Sequence, residues 1–298
     1  MNIIRISGGL GSQMFQYAFY LAQKAQNPDC VIDISSYLYN RVYNGYELNE
    51  IFPVLPTVLS TEEVYECADV SESFGARFRR TVFGAKKHLA TAVFEEKDKN
   101  FDASVFGKDD IYFKGLWQSW KYFDSIEDEV RKNFEFKRPL SQMNAAVADA
   151  MAQSESVSIH VRRGDRLEKK LWEEQGSICT PDYYNWAIAN IRQQLGEEVH
   201  FFVFSDDIAW ARENLKVDNV TFIDWNKGPD SAVDMHLMSL CKHNIISNSS
   251  FSWWGAYLNA NPDKIVIAPA RWYRSVPTPD LIPEYWTQIP IDSIVRKY

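Results

Sequence analysis

Three short polar clusters, each at the end of an apolar run, hold the residue types that could do chemistry. His160-Val-Arg-Arg-Gly-Asp165 overlaps and follows a run in which Val157, Ile159 and Val161 alternate with Ser158 and His160. Ser205-Asp206-Asp207 follows the run 200–204, and Ser247-Asn-Ser-Ser-Phe-Ser252 follows 244–246. Open parallel sheets bind ligands beyond the carboxyl ends of their strands, so the three clusters would converge on one crevice. Arg162 and Arg163 leave their strand through Gly164. Guanidinium groups grip phosphate oxygens bidentately and stay charged, which suits a diphosphate. The plainer reading is surface ion pairing with Asp165, Glu168 or Glu173. Ser249 and Ser250 would enter a helix N-terminus, whose unpaired N–H groups attract anions. Simple capping by Ser250 or Ser252 would draw on the same stretch. Asp206 and Asp207 could accept from a ribose hydroxyl or a purine N–H edge, or could cap the next helix. The Trp253–Trp254 pair reads as helix core.

A rival arrangement lies near the N-terminus. Gly9-x-Gly11 follows an apolar run and opens a helical pattern, and Asp33 ends the next strand 22 residues beyond Gly11. That is most of a dinucleotide-binding fingerprint, with Met14 where the third glycine belongs. An NAD-dependent dehydrogenase built on Gly9, Gly11 and Asp33 is therefore the alternative enzyme. A non-catalytic sugar-binding module is the alternative outside enzymes. Metal chemistry finds little to use. The five histidines are scattered, and Cys30, Cys67, Cys179 and Cys241 lack zinc-knuckle spacing. Arginines would have to neutralise a diphosphate instead. No serine-hydrolase elbow or Walker A segment occurs.

The elements that must position these residues alternate. A strand at Ile3–Ile6, a glycine loop and a helix ending before Pro28 lead to a strand at Cys30–Ile34. The middle is less periodic: a basic amphipathic helix is predicted over Phe78–Val93, an aromatic segment over Tyr112–Phe123, then helices near 126–134 and 145–151. After Ser154 strands and helices alternate cleanly, with Thr180 and Pro181 opening a helix to about Leu195. Alternation of this kind means parallel βαβ units. The chain of 298 residues, 46% apolar with a net charge of −8, has room for two such domains. Boundaries are expected at 1–154, 155–270 and a surface-packing tail over 271–298. The acidity argues against nucleic acid as a partner. The aromatic surplus builds core first and sugar platforms second. Neither a signal peptide nor an apolar run long enough to span a membrane is seen, so a cytoplasmic protein is expected. The basic stretch Arg77–Leu89 has two readings: a core-covering helix, or peripheral contact with anionic lipid.

Gly8–Ala18, Gly115–Phe123, His160–Asp165, Phe204–Asp207 and Asn248–Gly255 together resemble the α-1,2-fucosyltransferases of glycosyltransferase family eleven, in order and from residue 8 to about 260. The family's usual G-x-G-N-Q reads Gly9-x-Gly11-Ser12-Gln13 here, a shorter hydrogen-bonding side chain replacing Asn. The resemblance implies a GT-B-like α/β fold: two facing Rossmann-like domains with parallel sheets, acceptor side first and GDP-sugar side second. It implies an inverting, metal-independent transfer of L-fucose from GDP-β-L-fucose to the 2-hydroxyl of a terminal β-galactoside, with no cofactor. Arg162 should hold the diphosphate and assist its departure. His160 and one of Asp206 and Asp207 should contact the nucleoside. Arg163, Ser249, Ser250 and Phe251 should lie around the phosphates, with Gly9, Gly11, Ser12 and Gln13 as further donor contacts. Asp165 and Glu168 lie closest in sequence to the arginines as a base for the acceptor, and Asp165 could equally orient them. Trp117, Gln118 and Trp120 are the acceptor candidates. Without the membrane anchor of animal members, a bacterial enzyme of surface-glycan synthesis is expected. Its acceptor would be a galactose-terminated oligosaccharide or a lipid-linked glycan.

Overall fold

The computed structural model describes residues 1–39, 43–86 and 89–291, without the side chains of Asp165 and Lys170. The chain divides into two compact units, Met1–Lys137 and Arg138–Tyr298. The division falls ahead of residue 154 because the helix over Gln142–Gln153 is tied into the second unit. Its Asn144 exchanges hydrogen bonds with Asn226 at 2.9 and 3.2 Å and accepts one from Trp225 Nε1 at 2.8 Å.

The first unit runs β1 (Asn2–Arg5), α1 (Leu10–Gln26), β2 (Cys30–Asp33), α2 (Ser36–Tyr39), α3 (Leu48–Ile51), α4 (Thr61–Cys67), α5 (Phe74–Phe83), β3 (Ala92–Glu95), β4 (Ile111–Lys114) and α6 (Glu127–Asn133). Its sheet has the order β2-β1-β4-β3, parallel throughout. Every residue of α1 from Leu10 to Gln23 except Ser12 is buried, so the helix is core on nearly all sides. Its three buried glutamines complete hydrogen bonds that adjacent loops would otherwise leave unmade. Gln13 bonds Gly8 O, Gly45 O and Glu47 N, Gln16 joins Ser7 N to Gly115 O, and Gln23 reaches Val105 O. The helix predicted over 78–93 is a shorter helix and a strand. Gly84, at φ 78° in the left-handed region, ends α5, and Ala92–Glu95 pairs with β4.

The second unit runs α7 (Gln142–Gln153), β5 (Ser156–Val161), α8 (Lys169–Leu171), α9 (Pro181–Leu195), β6 (His200–Ser205), α10 (Ile208–Asn214), β7 (Val220–Ile223), α11 (Ala232–Leu240), β8 (His243–Ile245), α12 (Ser250–Leu258), β9 (Val266–Pro269) and β10 (Thr287–Ile289). The parallel sheet has the order β10-β9-β8-β5-β6-β7. All of β5 is buried, and α9 starts as its sequence predicts, with Thr180 Oγ1 accepting from Tyr183 N and Pro181 in first position. Strand order reverses at β5: β6 and β7 follow on one side, β8 to β10 on the other. A reversal of this kind opens a crevice at the strands' carboxyl ends. The tail does more than pack on the surface. Thr287–Ile289 extends the sheet beside β9, and Trp272, Leu281 and Trp286 are buried.

Candidate active site in the second unit

The arginine loop starts where β5 ends. Arg162 Nη1 pairs with Asp206 Oδ2 at 2.8 Å, and Arg163 Nε with Asp207 Oδ2 at 3.1 Å. Asp206 also accepts from the backbone N–H of Arg163 and of Gly164, at 2.8 and 3.0 Å. A Cβ on Gly164 would come within 2.7 Å of that carboxylate, which explains the glycine. The Arg163 guanidinium lies over the Trp210 ring, 4.1 Å from its centroid. Asp207 caps α10 through Trp210 N at 3.1 Å. Among the described residues, Asp206 and Asp207 at the neighbouring strand end of β6 thus supply carboxylate partners to the two arginines. The oxygens of Asp206 and Asp207 orient the arginines, and Asp207 also caps a helix, as the plainer of its two readings expects. The Asp165 side chain lies outside the described residues. Glu168 is exposed, at the N-cap position of α8 with no side-chain capping bond.

His160 sits on β5 at the switch point, 7% exposed. Its Nδ1 lies 3.1 Å from Ser247 Oγ, its carbonyl accepts from Tyr184 Oη at 3.2 Å, and its ring stands 5.6 Å from that of Phe251. Burial, with the positive Arg162 and Arg166 nearby, pushes its pKa down to about 3. The imidazole is neutral at physiological pH and acts as a hydrogen-bonding group. The hydrogen-bond partner, Ser247, sits just beyond β8 and leads into α12. Ser249 is the N-cap residue of that helix without a side-chain capping bond, and Ser250 and Phe251, both half-buried, form its first turn. Ser252 bonds back to Ser247 O and Ser249 O, so neither Ser250 nor Ser252 serves as the N-cap. First-turn N–H groups carry the helix's partial positive charge at this end.

Two residues escaped the sequence reading. Arg166 is 8% exposed and donates to Asn248 twice, Nη1 to Oδ1 at 2.5 Å and Nη2 to the backbone O at 2.6 Å. Asn248 in turn donates to Gln175 O and Trp272 O. This tie joins the arginine loop to the serine loop. The available signal was a third arginine in the segment Arg162-Arg163-Gly-Asp-Arg166. Asp234, in the first turn of α11, accepts from Asn226 Nδ2 at 2.8 Å, and burial pushes its carboxyl up to about 7. Parallel topology sets that turn on the same edge of the sheet as the arginine loop.

The candidates in the first unit fare differently. Trp117 is 1% exposed and stacks on Phe19 at 4.3 Å, within a cluster that includes Phe94, Phe113 and Tyr122. It is core, so its ring offers no sugar platform, and Gln118 is buried beside it in sequence. Trp120 is half-buried. Gly11 and Gln13 are buried in α1, and the amide of Gln13 is engaged by loop backbone. Gly9 and Ser12 are half-buried. Asp33 takes Tyr112 Oη at 2.5 Å and Ser35 N at 2.7 Å, so the carboxylate of the dinucleotide reading serves its own sheet. Beside Trp117 the carboxyl ends of β1, β3 and β4 do open a crevice of about 270 Å³, lined by Arg5, Ser7, Glu95, Glu96 and Lys114 among others. Glu96 accepts from Leu116 N and Trp117 N, and burial raises its pKa.

The model of glycosyl transferase family 11 matches residues 80–282, which takes in both loops of the crevice. The α-1,2-colitosyltransferase of Escherichia coli is 32% identical over 297 residues, covering 96% of this chain and 98% of its own length. The O-antigen biosynthesis glycosyltransferase WbnK of Escherichia coli is 31% identical over 301 residues, covering 95% and 99%. Galactoside α-(1,2)-fucosyltransferase 2 of Mus musculus is 28% identical over 197 residues, covering 61% of this chain and 55% of its own. The arginine and serine loops thus belong to a matched region, and the chain is a member of glycosyl transferase family 11.

Proposed function

We propose that this glycosyltransferase moves L-fucose from GDP-β-L-fucose to the 2-hydroxyl of a terminal β-galactoside, with inversion and without a metal ion. One observation carries the reading: at the strand reversal, the ion-paired Arg162 and Arg163 and the first turn of α12 follow the neighbouring strands β5 and β8, linked through His160 and Ser247. That combination is suited to a nucleoside diphosphate. In the proposed step the bond between sugar C1 and the β-phosphate oxygen breaks, and its electron pair leaves with GDP. Arg162 and the helix N-terminus stabilise the charge growing on the diphosphate, the largest expected catalytic contribution. The acceptor oxygen attacks the opposite face of C1 and loses its proton to a carboxylate, for which Asp165 and Glu168 remain the candidates. We further propose that the enzyme works in a bacterial cytoplasm, on an oligosaccharide or lipid-linked glycan bound for the cell surface.

The colitosyltransferase relative favours a second reading in which the donor is GDP-colitose. Colitose is fucose without its 3-hydroxyl, so the diphosphate chemistry is unchanged and only contacts to that hydroxyl differ. Incubation with lactose and each GDP-sugar, with chelator present, separates the two by product mass and GDP release. Arg162→Ala should lower turnover by roughly 10²-fold or more. Near-normal turnover in that variant, or transfer from neither donor, would overturn the proposal.

A further inference from the structure

Helix α5 (Phe74–Phe83) turns its apolar side away from its own unit. Phe74, Phe78 and Val82, spaced by four and sharing one face, are 86%, 60% and 53% exposed, and Phe83 at the helix end is 80% exposed. No residue of the helix is buried. The side turned toward the unit is polar instead. Arg79 and Arg80 both reach Asp69, with Arg80 Nη2 also donating to Ser71 O at 2.6 Å and Arg79 Nη1 to Gly84 O at 3.1 Å. The arginine pair holds the Asp69 carboxyl down at about 2, so this inner contact persists at any physiological pH. A helix whose only role was to cover core would point its phenylalanines the other way.

Charge narrows the choice of what covers them. From Ser73 to Phe94 the sequence has five Lys or Arg residues and no Asp or Glu, in a chain whose net charge is −8. Arg77 and Lys86 are exposed at the margins of the phenylalanine stripe. A two-fold dimer through this face would set the same cations opposite one another, a like-charge juxtaposition that opposes it. Apolar side chains rimmed by cations are what an anionic lipid surface receives, with rings entering the acyl boundary and cations meeting headgroup phosphates. We propose that α5 is an interfacial helix that docks the first unit on an anionic bilayer, with Phe74, Phe78, Val82 and Phe83 inserted and Arg77 and Lys86 at the headgroups. The docking stands apart from the transfer reaction, since its evidence and its test require no substrate.

Co-sedimentation tests it with phosphatidylcholine vesicles, with and without one third phosphatidylglycerol. The full chain should pellet with the anionic vesicles only, and release in ~0.5 M salt. Phe78→Ser with Phe83→Ser should lower the partition coefficient at least ~10-fold. Arg77→Gln with Lys86→Gln should lower it roughly tenfold at low salt. The charge pair keeps the test decisive if the phenylalanine pair folds poorly. Equal pelleting with neutral vesicles, no pelleting at all, or a dimer in sedimentation velocity that Phe78→Ser dissociates would each overturn the proposal.

Discussion

Asp206 binds two backbone N–H groups and one guanidinium with a single carboxylate, which makes it the residue on which the arginine loop's geometry turns. Replacing it by Ala removes an acceptor from three donors and should destabilise the unit by ~1–3 kcal/mol. Asp206→Asn keeps an oxygen for the backbone and loses the ion pair, so it should melt near the parent while turnover falls at least several-fold. Thermal melts beside GDP-release rates check this, and equal melting of Asn and Ala variants would contradict it. His160 offers a cleaner readout. With its pKa near 3, its ring resonances should stay flat between about pH 5 and 8, where an ordinary histidine titrates. A midpoint near 6.5 in the NMR titration would refute the buried, neutral imidazole. The chemistry of Arg162, Arg163 and His160 was legible in their types and in their place at a strand end. Their partners were not. Asp206 and Asp207 lie more than forty residues away, and only the pairing of β5 with β6 brings them alongside. Trp117 misled for a related reason: its exposure depends on Phe19 and Phe113, which local sequence does not place.

Among the elements, legibility followed burial on both faces. β5 reads clearly from the alternation of Val157, Ile159 and Val161 with polar residues, and β6 from the apolar run Phe201–Phe204, both in strands buried along most of their length. Edge strand β3 does not, since three of its four residues are exposed and no alternation marks its face. Its first residues and the basic stretch before it therefore read as one long helix over Phe78–Val93. β10 was hidden in the same way, as a three-residue edge strand in a proline-rich tail. The serine loop illustrates what an element needs besides its own sequence. The turn from β8 into α12 is held from outside by Arg166, whose two bonds to Asn248 fix the loop just before the helix begins. Lysine offers a point charge and cannot reproduce that two-pronged contact. Arg166→Lys should therefore raise the dissociation constant for GDP about tenfold and lower the melting temperature together. Arg162→Ala should weaken GDP binding with little change in melting. Calorimetry and thermal melts on the two variants separate an oriented loop from a direct phosphate contact, and identical behaviour would remove the distinction.

At the scale of the whole molecule, two of the groups that tie stability to pH, His160 and Asp234, oppose each other. The His160 pKa is depressed in the folded state, so the unfolded chain binds more protons between about pH 3 and 6.5, and stability from this group is lost as pH falls through that window. Asp234 runs the other way. Its folded pKa of about 7 lies above the ordinary carboxylate value, so the folded state holds more protons from about pH 4 to 7. The resulting contribution is greatest below that range and disappears as pH rises through it. A shift of about three units corresponds to at most ~4 kcal/mol, and partial exposure reduces it. Where the windows overlap, the two slopes offset, and removing one should reveal the other. Asp234→Asn preserves an acceptor for Asn226 while eliminating the titration. Relative to the parent, this variant should gain stability steadily from pH 4 to 7, and its own stability should rise more steeply with pH than the parent's does. Urea unfolding at several pH values measures both slopes directly. A difference between variant and parent that stays constant across that range would show that Asp234 titrates as an ordinary surface carboxylate, and the offset would then have to be abandoned.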